Sequence, residues 1–234
     1  MKASASSTNA NKILQLDKPI IGNTIDQREG YPLNAYWQLP IHYKDLNGDG
    51  VLSRDEVTVD TARHFIGYSS PRHEVVLSNG FDFAHRRLRL AGLFDYKGGS
   101  KLYNNTQRIR CASRLNCREL IDRTAPLKDQ ARVIALREKP GASVAGFIED
   151  ASFVRFRELA LTASAPDAWA ARFGARTLSA TLAARNLHIW TKYSGIDPEA
   201  GYFSQGTGSG YDIQTDFQTS PPPSYFTLRL NLGF

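Results

Sequence analysis

Strict alternation of apolar and polar residues marks the C-terminal end of the chain. Across residues 225–234, Phe226, Leu228, Leu230, Leu232 and Phe234 share one parity, and Thr227, Arg229, Asn231 and Gly233 share the other. Successive strand residues point to opposite faces, so this is a strand with one apolar and one polar face. Residues 177–184 repeat the pattern, with Leu178, Ala180 and Leu182 on the apolar side. So do residues 87–96, with Leu88, Leu90, Phe94 and Tyr96 facing outward, and a segment marked by Val75, Leu77, Phe81 and Phe83. Residues 153–163 read as a strand whose alternation slips near Glu158, which predicts a bulge. Weaker strands at residues 12–18 and 31–43 bring the total to about seven. Helical signals are few: residues 127–135 predict a helix inside a loop, and residues 168–173 a short turn. The expectation is an all-β chain. Its strands after residue 18 form one antiparallel meander in sequence order, with Arg89, Thr181, Arg229 and Asn231 on the polar face.

The connections between these strands are unequal. Residues 84–86 and 166–174 are short links, whereas residues 44–72, 101–150 and 191–224 are long and rich in Gly, Asn, Asp, Ser and Pro. Loops of that length are uncommon in compact domains and usually functional. Short connections alternating with long ones are the plan of an outer-membrane barrel. If Phe234 ends at the periplasmic side, all three long loops fall on the outer side. Aromatics gather where strands meet loops, at Tyr31, Tyr36, Trp37 and Tyr43, at Trp169 and Phe173, and at Trp190 and Tyr193. Amphipathic rings at both interfaces make the girdle of a membrane barrel. The competing reading is a β-sandwich with aromatic ends.

Composition narrows the field. The 234 residues are 41% hydrophobic and 11% aromatic, ordinary for a packed protein and too apolar for a fully disordered one. No stretch approaches the roughly 18 consecutive apolar residues of a spanning helix. A barrel is not excluded by this, because its alternating strands average to a modest mean hydropathy, here -0.38. The N-terminal residues are small and polar and lack the apolar core of a secretory signal. The net charge of +6 is scattered, with no long basic run, so no nucleic-acid partner is expected.

One local motif carries chemistry. Residues 45–56 fit D-x-[DN]-x-[DN]-G-x5-E throughout. Asp45, Asn47 and Asp49 place hard oxygens on alternate residues, Gly50 permits the sharp turn and Val51 offers its carbonyl. Ser53 acts directly or through water, and Glu56 closes the site with both oxygens. The expected ion is Ca2+ in a structural role. The flanking residues 39–43 read as strand, so the loop is not set in an EF-hand. Cys111 and Cys117 lack a CxxC or a nearby His, which argues against zinc. By themselves they are either two free thiols or a small local disulfide. No catalytic constellation stands out, so the chain is not expected to be an enzyme, and a glycan-active hydrolase ranks as the second rival.

Several segments resemble one family. Residues 147–158, containing Asp150, Ser152, Phe153, Arg155, Arg157 and Glu158, are similar to a strand motif of SusC/RagA-type TonB-dependent outer-membrane transporters. Residues 184–199, with Arg185-Asn186-Leu187, Trp190, Tyr193-Ser194-Gly195 and Asp197-Pro198-Glu199, resemble a second. Residues 29–33, 43–50 and 65–71 resemble others, in the family's order and spacing. The resemblance implies that residues 1–234 are the C-terminal segment of a transporter barrel. The signal peptide, plug domain and TonB-contacting segment of the longer family members would be absent. An odd count of about seven strands cannot close a bacterial barrel, which uses an even number.

The resemblance also implies location and partners. The site is the cell outer membrane, in contact with its lipid, and the role is uptake of a bulky glycan or peptide. A SusD-like surface lipoprotein would cap the pore, and the TonB system would act through the missing plug. The barrel assembly machinery would read the last strand, at Tyr225, Phe226, Leu228, Leu230, Leu232 and Phe234. The loop carrying Cys111 and Cys117 would lie outside the cell, where a disulfide persists. The alternative is a calcium-dependent cell-surface β-sandwich that serves as a binding module.

Overall fold

A computed structural model describes residues 2–7, 12–199 and 215–234. Its largest element is a six-stranded antiparallel sheet in the order β1-β8-β9-β12-β13-β15. These strands are β1 (Lys2–Ser7), β8 (His73–Phe83), β9 (Leu88–Gly98), β12 (Phe153–Ser164), β13 (Thr177–Thr191) and β15 (Tyr225–Gly233). From β8 onward the members follow one another as a meander, as the alternation predicted.

The register separates two faces. One row across the sheet reads Phe81, Leu90, Leu161, Leu182 and Leu228, and the next Phe83, Leu88, Ala163, Ala180 and Leu230. Large members of this face stand open, with Phe81, Leu161, Leu182 and Leu228 at 61%, 41%, 53% and 69% exposure. The opposite face is polar. Its rows include Asp82, Arg89, Thr162, Thr181 and Arg229. They are laced by an Arg89–Asp82 ion pair at 3.0 Å, a Thr162–Thr181 hydroxyl contact at 2.9 Å and an Arg185–Glu158 pair at 2.6 Å. Across a strand pair such opposed polar side chains stabilise by roughly 0.2–1 kcal/mol each.

The alternation slips where the sequence predicted. Between Phe156 and Glu158 the register shifts against both neighbours, and β13 passes two residues, Asn186 and Leu187, where β12 passes one. Asn186 adopts φ 52°, a left-handed conformation that Asn tolerates better than most residues. Its amide donates to the Pro223 carbonyl at 3.1 Å, and Ser224 Oγ donates to the Asn186 carbonyl at 2.5 Å. Asn186 is therefore the bulge residue that aims β13 and anchors the approach to β15.

The long connections fold together into a cap. It holds a sheet of β2 (Ile20–Ile21), β3 (Ile25–Gln27), β4 (Ala35–Gln38) and β7 (His64–Gly67), and a hairpin of β5 (Ile41–Tyr43) and β6 (Val57–Val59). A third small sheet joins β10 (Lys101–Asn104), β11 (Ile148–Asp150) and β14 (Thr215–Asp216). Among these lie α1 (Asn105–Ile109), α2 (Arg118–Ile121) and α3 (Leu127–Arg137), while α4 (Asp167–Ala171) forms the short turn between β12 and β13. The buried core sits here. Ile25, Tyr36, Tyr103, Cys111, Cys117, Val133, Phe147 and Ile148 form one cluster, and Leu52, Val57, Ala131, Ile134 and Ala135 a second.

Three expectations need correction. The large sheet has six strands among the described residues, not about seven, and two open edges. Residues 12–18 contribute only a single bridge, Lys12 to Pro32. Residues 31–43 break into β4 and β5, members of different small sheets, because Pro32, Asn34 at φ 57° and Pro40 interrupt a continuous strand. In exchange, the polar Lys2–Ser7 pairs with β8 from Lys2↔Ser78 to Ser7↔His73. Ala3 and Ala5 fall on the apolar face opposite Leu77 and Val75, but residues so small gave the alternation no weight.

Candidate functional site

Two of the motifs meet at the junction of sheet and cap. Arg155 on β12 is almost wholly buried and donates through Nη2 to both Asp197 oxygens at 2.6 Å. Two residues on, Arg157 reaches Glu199 Oε2 through Nη1 at 2.7 Å and Oε1 through Nη2 at 2.6 Å. It also binds Asp95 Oδ2 through Nη2 at 2.6 Å and Nε at 3.1 Å. Lys97 lies 3.4 Å from Glu199, and the Glu199 N–H donates to Asp197 Oδ1 at 2.9 Å. The bulge between Phe156 and Glu158 sets Arg155 and Arg157 toward one loop. Burial disfavours the charge on Glu199, but the hydrogen bonds and charge of Arg157, with Lys97 and Arg155, outweigh it and hold its pKa below the ordinary value. The arrangement is a clamp that fixes residues 197–199 on the large sheet. Its groups are already paired with one another.

A second hub lies within the cap. Arg132 on α3 pairs with Glu119, with Glu149 at 3.0 Å and with Asp129 at 3.4 Å. Glu149 also accepts from Ser194 Oγ at 2.7 Å and from its N–H at 2.9 Å. Tyr193, next in the motif, donates its hydroxyl to Asp216 at 2.8 Å. Burial raises the Tyr193 pKa, and the Asp216 charge adds to that. Sequence reasoning missed Arg132 and Asp216, since both act through partners distant in the chain.

The Asp45–Glu56 loop joins β5 to β6. Asp45 accepts from the Gly48 and Gly50 N–H groups at 2.7 and 2.9 Å, and Asp49 from Val51 at 2.8 Å. Asn47 Oδ1 accepts from the Asp49 N–H at 3.1 Å. Glu56 accepts from the N–H groups of Ser53 and Leu46, both at 2.7 Å, and from Ser53 Oγ at 2.8 Å. These bonds lower the Glu56 pKa, those to Ser53 and Leu46 most. Asp45, Asp49 and Glu56 do not make a set of three whose ligand atoms all lie within 4.8 Å of one another. Gln130 of α3 seizes the loop from behind, accepting from the Leu52 N–H at 2.8 Å and donating to the Gly50 carbonyl at 3.0 Å.

Cys111 and Cys117 are fully buried in the first core cluster and joined by a disulfide, with their Cα atoms 5.0 Å apart. Tyr225, Phe226, Leu228, Leu230 and Leu232 lie on β15, the exposed edge of the large sheet, and Phe234 follows it. The register puts Phe226, Leu228, Leu230 and Leu232 on the apolar face and Tyr225 on the polar one, beside Arg185.

Known proteins share this sequence and fold. Two proteins of Formosa agariphila, TonB-dependent receptor P3 and TonB-dependent receptor P26, are each 26% identical over 196 and 202 residues, 82% of this chain. The chain spans 19% of either relative, about a fifth of its length. The structure of the RagAB peptide transporter superposes at TM-score 0.63 with 20% identity, over 92% of this chain and 24% of its own. The RagAB peptide importer in its closed-closed and open-open states gives TM-scores of 0.60 at 19% and 17% identity. These cover 97% and 99% of this chain, and 25% and 28% of theirs. No family model matches the chain. The chain therefore resembles TonB-dependent receptors in sequence and part of the RagAB transporter in fold, the resemblance its motifs indicated.

Proposed function

We propose that this chain supplies part of the wall and outer cap of a TonB-dependent importer in the outer membrane, taking up a bulky glycan or peptide. One observation carries the reading: a five-strand apolar face left open, backed by a polar face of paired side chains. In water each large apolar side chain left exposed forgoes about 1.5–3 kcal/mol of burial free energy, whereas hydrocarbon accepts it. The polar face then lines the lumen, and the cap stands over the outer rim. In the intact transporter a surface lipoprotein covers that rim, TonB acts through a plug, and the barrel assembly machinery reads β15 and Phe234.

Calcium belongs to the same reading as a structural ion. Asp45, Asp49 and Glu56 give three charges, and Asn47, Ser53 and the Val51 carbonyl add neutral oxygens, a set that suits calcium better than magnesium. The ion would draw these oxygens together and pin the loop, with an affinity of roughly 10⁻⁴ to 10⁻³ M as in extracellular modules. Equal protease cleavage of this loop in calcium and in chelator, in the full-length parent, would remove it.

The main reading is tested by fractionating cells that express the full-length parent and following uptake of labelled oligosaccharide and oligopeptide. Recovery in the outer membrane and uptake that stops when TonB is deleted are expected. A chain that stays monomeric in water without detergent, with Leu182 and Leu228 shielded, would favour the calcium-dependent surface sandwich.

A further inference from the structure

A cleft of about 580 Å³ opens in the cap between the β5–β6 hairpin, α3 and the segment that precedes the clamp. We infer that it is a strand-addition site, in which an extended polypeptide segment without net charge pairs with the free edge of β5. The inference deepens the uptake reading by naming a ligand class for the outer cap, and it rests on that reading for which side of the membrane the cleft faces.

The backbone of β5 supports it. The Asp60 N–H donates to the Pro40 carbonyl and the Lys44 N–H to the Glu56 carbonyl, both at 3.0 Å. In an antiparallel pair hydrogen-bonded positions alternate with non-bonded ones. Residues 40, 42 and 44 therefore face β6, and Ile41 and Tyr43 turn their N–H and C=O groups away from it. Both residues line the cleft, and β5 has no second strand neighbour among the described residues. Unpaired donors and acceptors two residues apart are the template for an added strand. A sugar chain has no matching repeat.

The rest of the lining agrees. Pro40, Ile41, Tyr43 and Ile66 give an apolar wall for alternate side chains. The charged lining balances, with Lys128, Arg132 and Lys192 against Asp129, Glu149 and Asp150, so neither a polyanion nor a polycation is favoured. The volume falls within the range of ligand sites.

The test is calorimetric titration of the whole chain in detergent micelles. The probe is an N-acetylated, C-amidated hexapeptide of alternating valine and threonine. Saturable binding is expected, lost when alternate peptide nitrogens on the pairing edge are methylated. Tyr43→Pro removes one free-edge N–H without touching the β5–β6 ladder, and should weaken binding about fivefold or more, the worth of one hydrogen bond. Tyr43→Val keeps that N–H and should bind as the parent does, with circular dichroism confirming both folds. Equal binding of methylated and unmethylated peptide would overturn the inference, as would tighter binding of a neutral malto-oligosaccharide. No binding by a chain whose parent inserts and imports would sink the cleft alone; peptide binding by a chain that proves water-soluble would sink the uptake reading alone.

Discussion

Leu161, Leu182 and Leu228 of the large sheet stand two-fifths or more exposed, while Tyr36, Val57 and Phe147 of the cap are fully buried. The two regions have similar alphabets and opposite uses of them. In the sheet, polar side chains pair with one another across strands and apolar ones look outward. In the cap, short strands and helices close around apolar side chains, and buried polar groups such as the Tyr36 hydroxyl reach a backbone N–H, here that of Tyr103 at 3.3 Å. The difference teaches that the cap is built to be stable against water and the sheet is not. On the reading proposed above, a second solvent meets the sheet's apolar face. The Arg155–Asp197 and Arg157–Glu199 pairs are where the two regimes are fastened together.

The comparison is broken hardest at the core and at the fastening. Phe147→Ala should cost about 3–5 kcal/mol by the transfer and cavity terms of a buried aromatic. The loss should fall on the cap alone, read as faster amide exchange in α3 with the large sheet still protected. Asp197→Ala leaves the buried Arg155 guanidinium only its longer contact, Nε to Glu199 Oε2 at 3.2 Å, at a cost of up to about 3–5 kcal/mol. Its signature differs: residues 193–199 should become protease-sensitive while the Cys111 cluster stays protected. If either variant loosened sheet and cap equally, the two would be one cooperative unit and the distinction would fall.

The sheet is probed next. Leu182→Arg in the full-length parent should destabilise by about 2–4 kcal/mol if the position sits near the bilayer midplane, as for charges on a barrel's lipid face. Thr181→Arg, one residue along and on the other face, should cost far less. Near-equal effects in a lipid unfolding series would deny that the faces see different solvents.

How far the sequence revealed this follows from interaction range. Period-two alternation exposed β8, β9, β12, β13 and β15, and even the slip at Glu158, because a strand's faces are written in its own residues. The cap was visible as long loops and one helix, α3, expected at residues 127–135 and found at Leu127–Arg137. Its strands run two to four residues, below the length at which alternation is detectable, and its helices α1 and α2 run five and four residues. Its logic is in distant pairs such as Gln130 with Leu52 and Tyr193 with Asp216. Arg155, Arg157, Asp197 and Glu199 all stood out by resemblance, but in two separate segments; that they pair became evident only once the bulge set both arginines toward one loop. Lys2–Ser7 carried little signal, since only Ala3 and Ala5 mark its apolar side and its pairing depends on the edge of β8.

Acid should loosen the fastening through Glu199, the smallest of these effects. Glu199 is partly buried and its folded pKa lies below its ordinary value, because Arg157, Lys97 and Arg155 favour the charged form more than burial disfavours it. A carboxylate of this kind adds stability above its unfolded pKa, about 4.3, and that share is lost as pH falls through the lower folded value. From neutral pH down to about 5 the clamp should be unchanged. Below about pH 4 protons compete with Arg157 for Glu199, and residues 193–199 should gain exchange and cleavage. Glu199→Gln removes the titrating group, so its loop should be looser at neutral pH and respond less as pH falls. The cap core offers the comparison: it answers to a different carboxylate, Glu119, whose pKa burial raises but Arg132, which lies over Phe147, lowers on balance, so Glu199→Gln should leave its acid response unchanged. Acid exchange in the cap core that fell in Glu199→Gln together with that of residues 193–199 would show that the junction does not open on its own. Exchange at residues 193–199 that rose equally in Glu199→Gln would assign the acid response to another group.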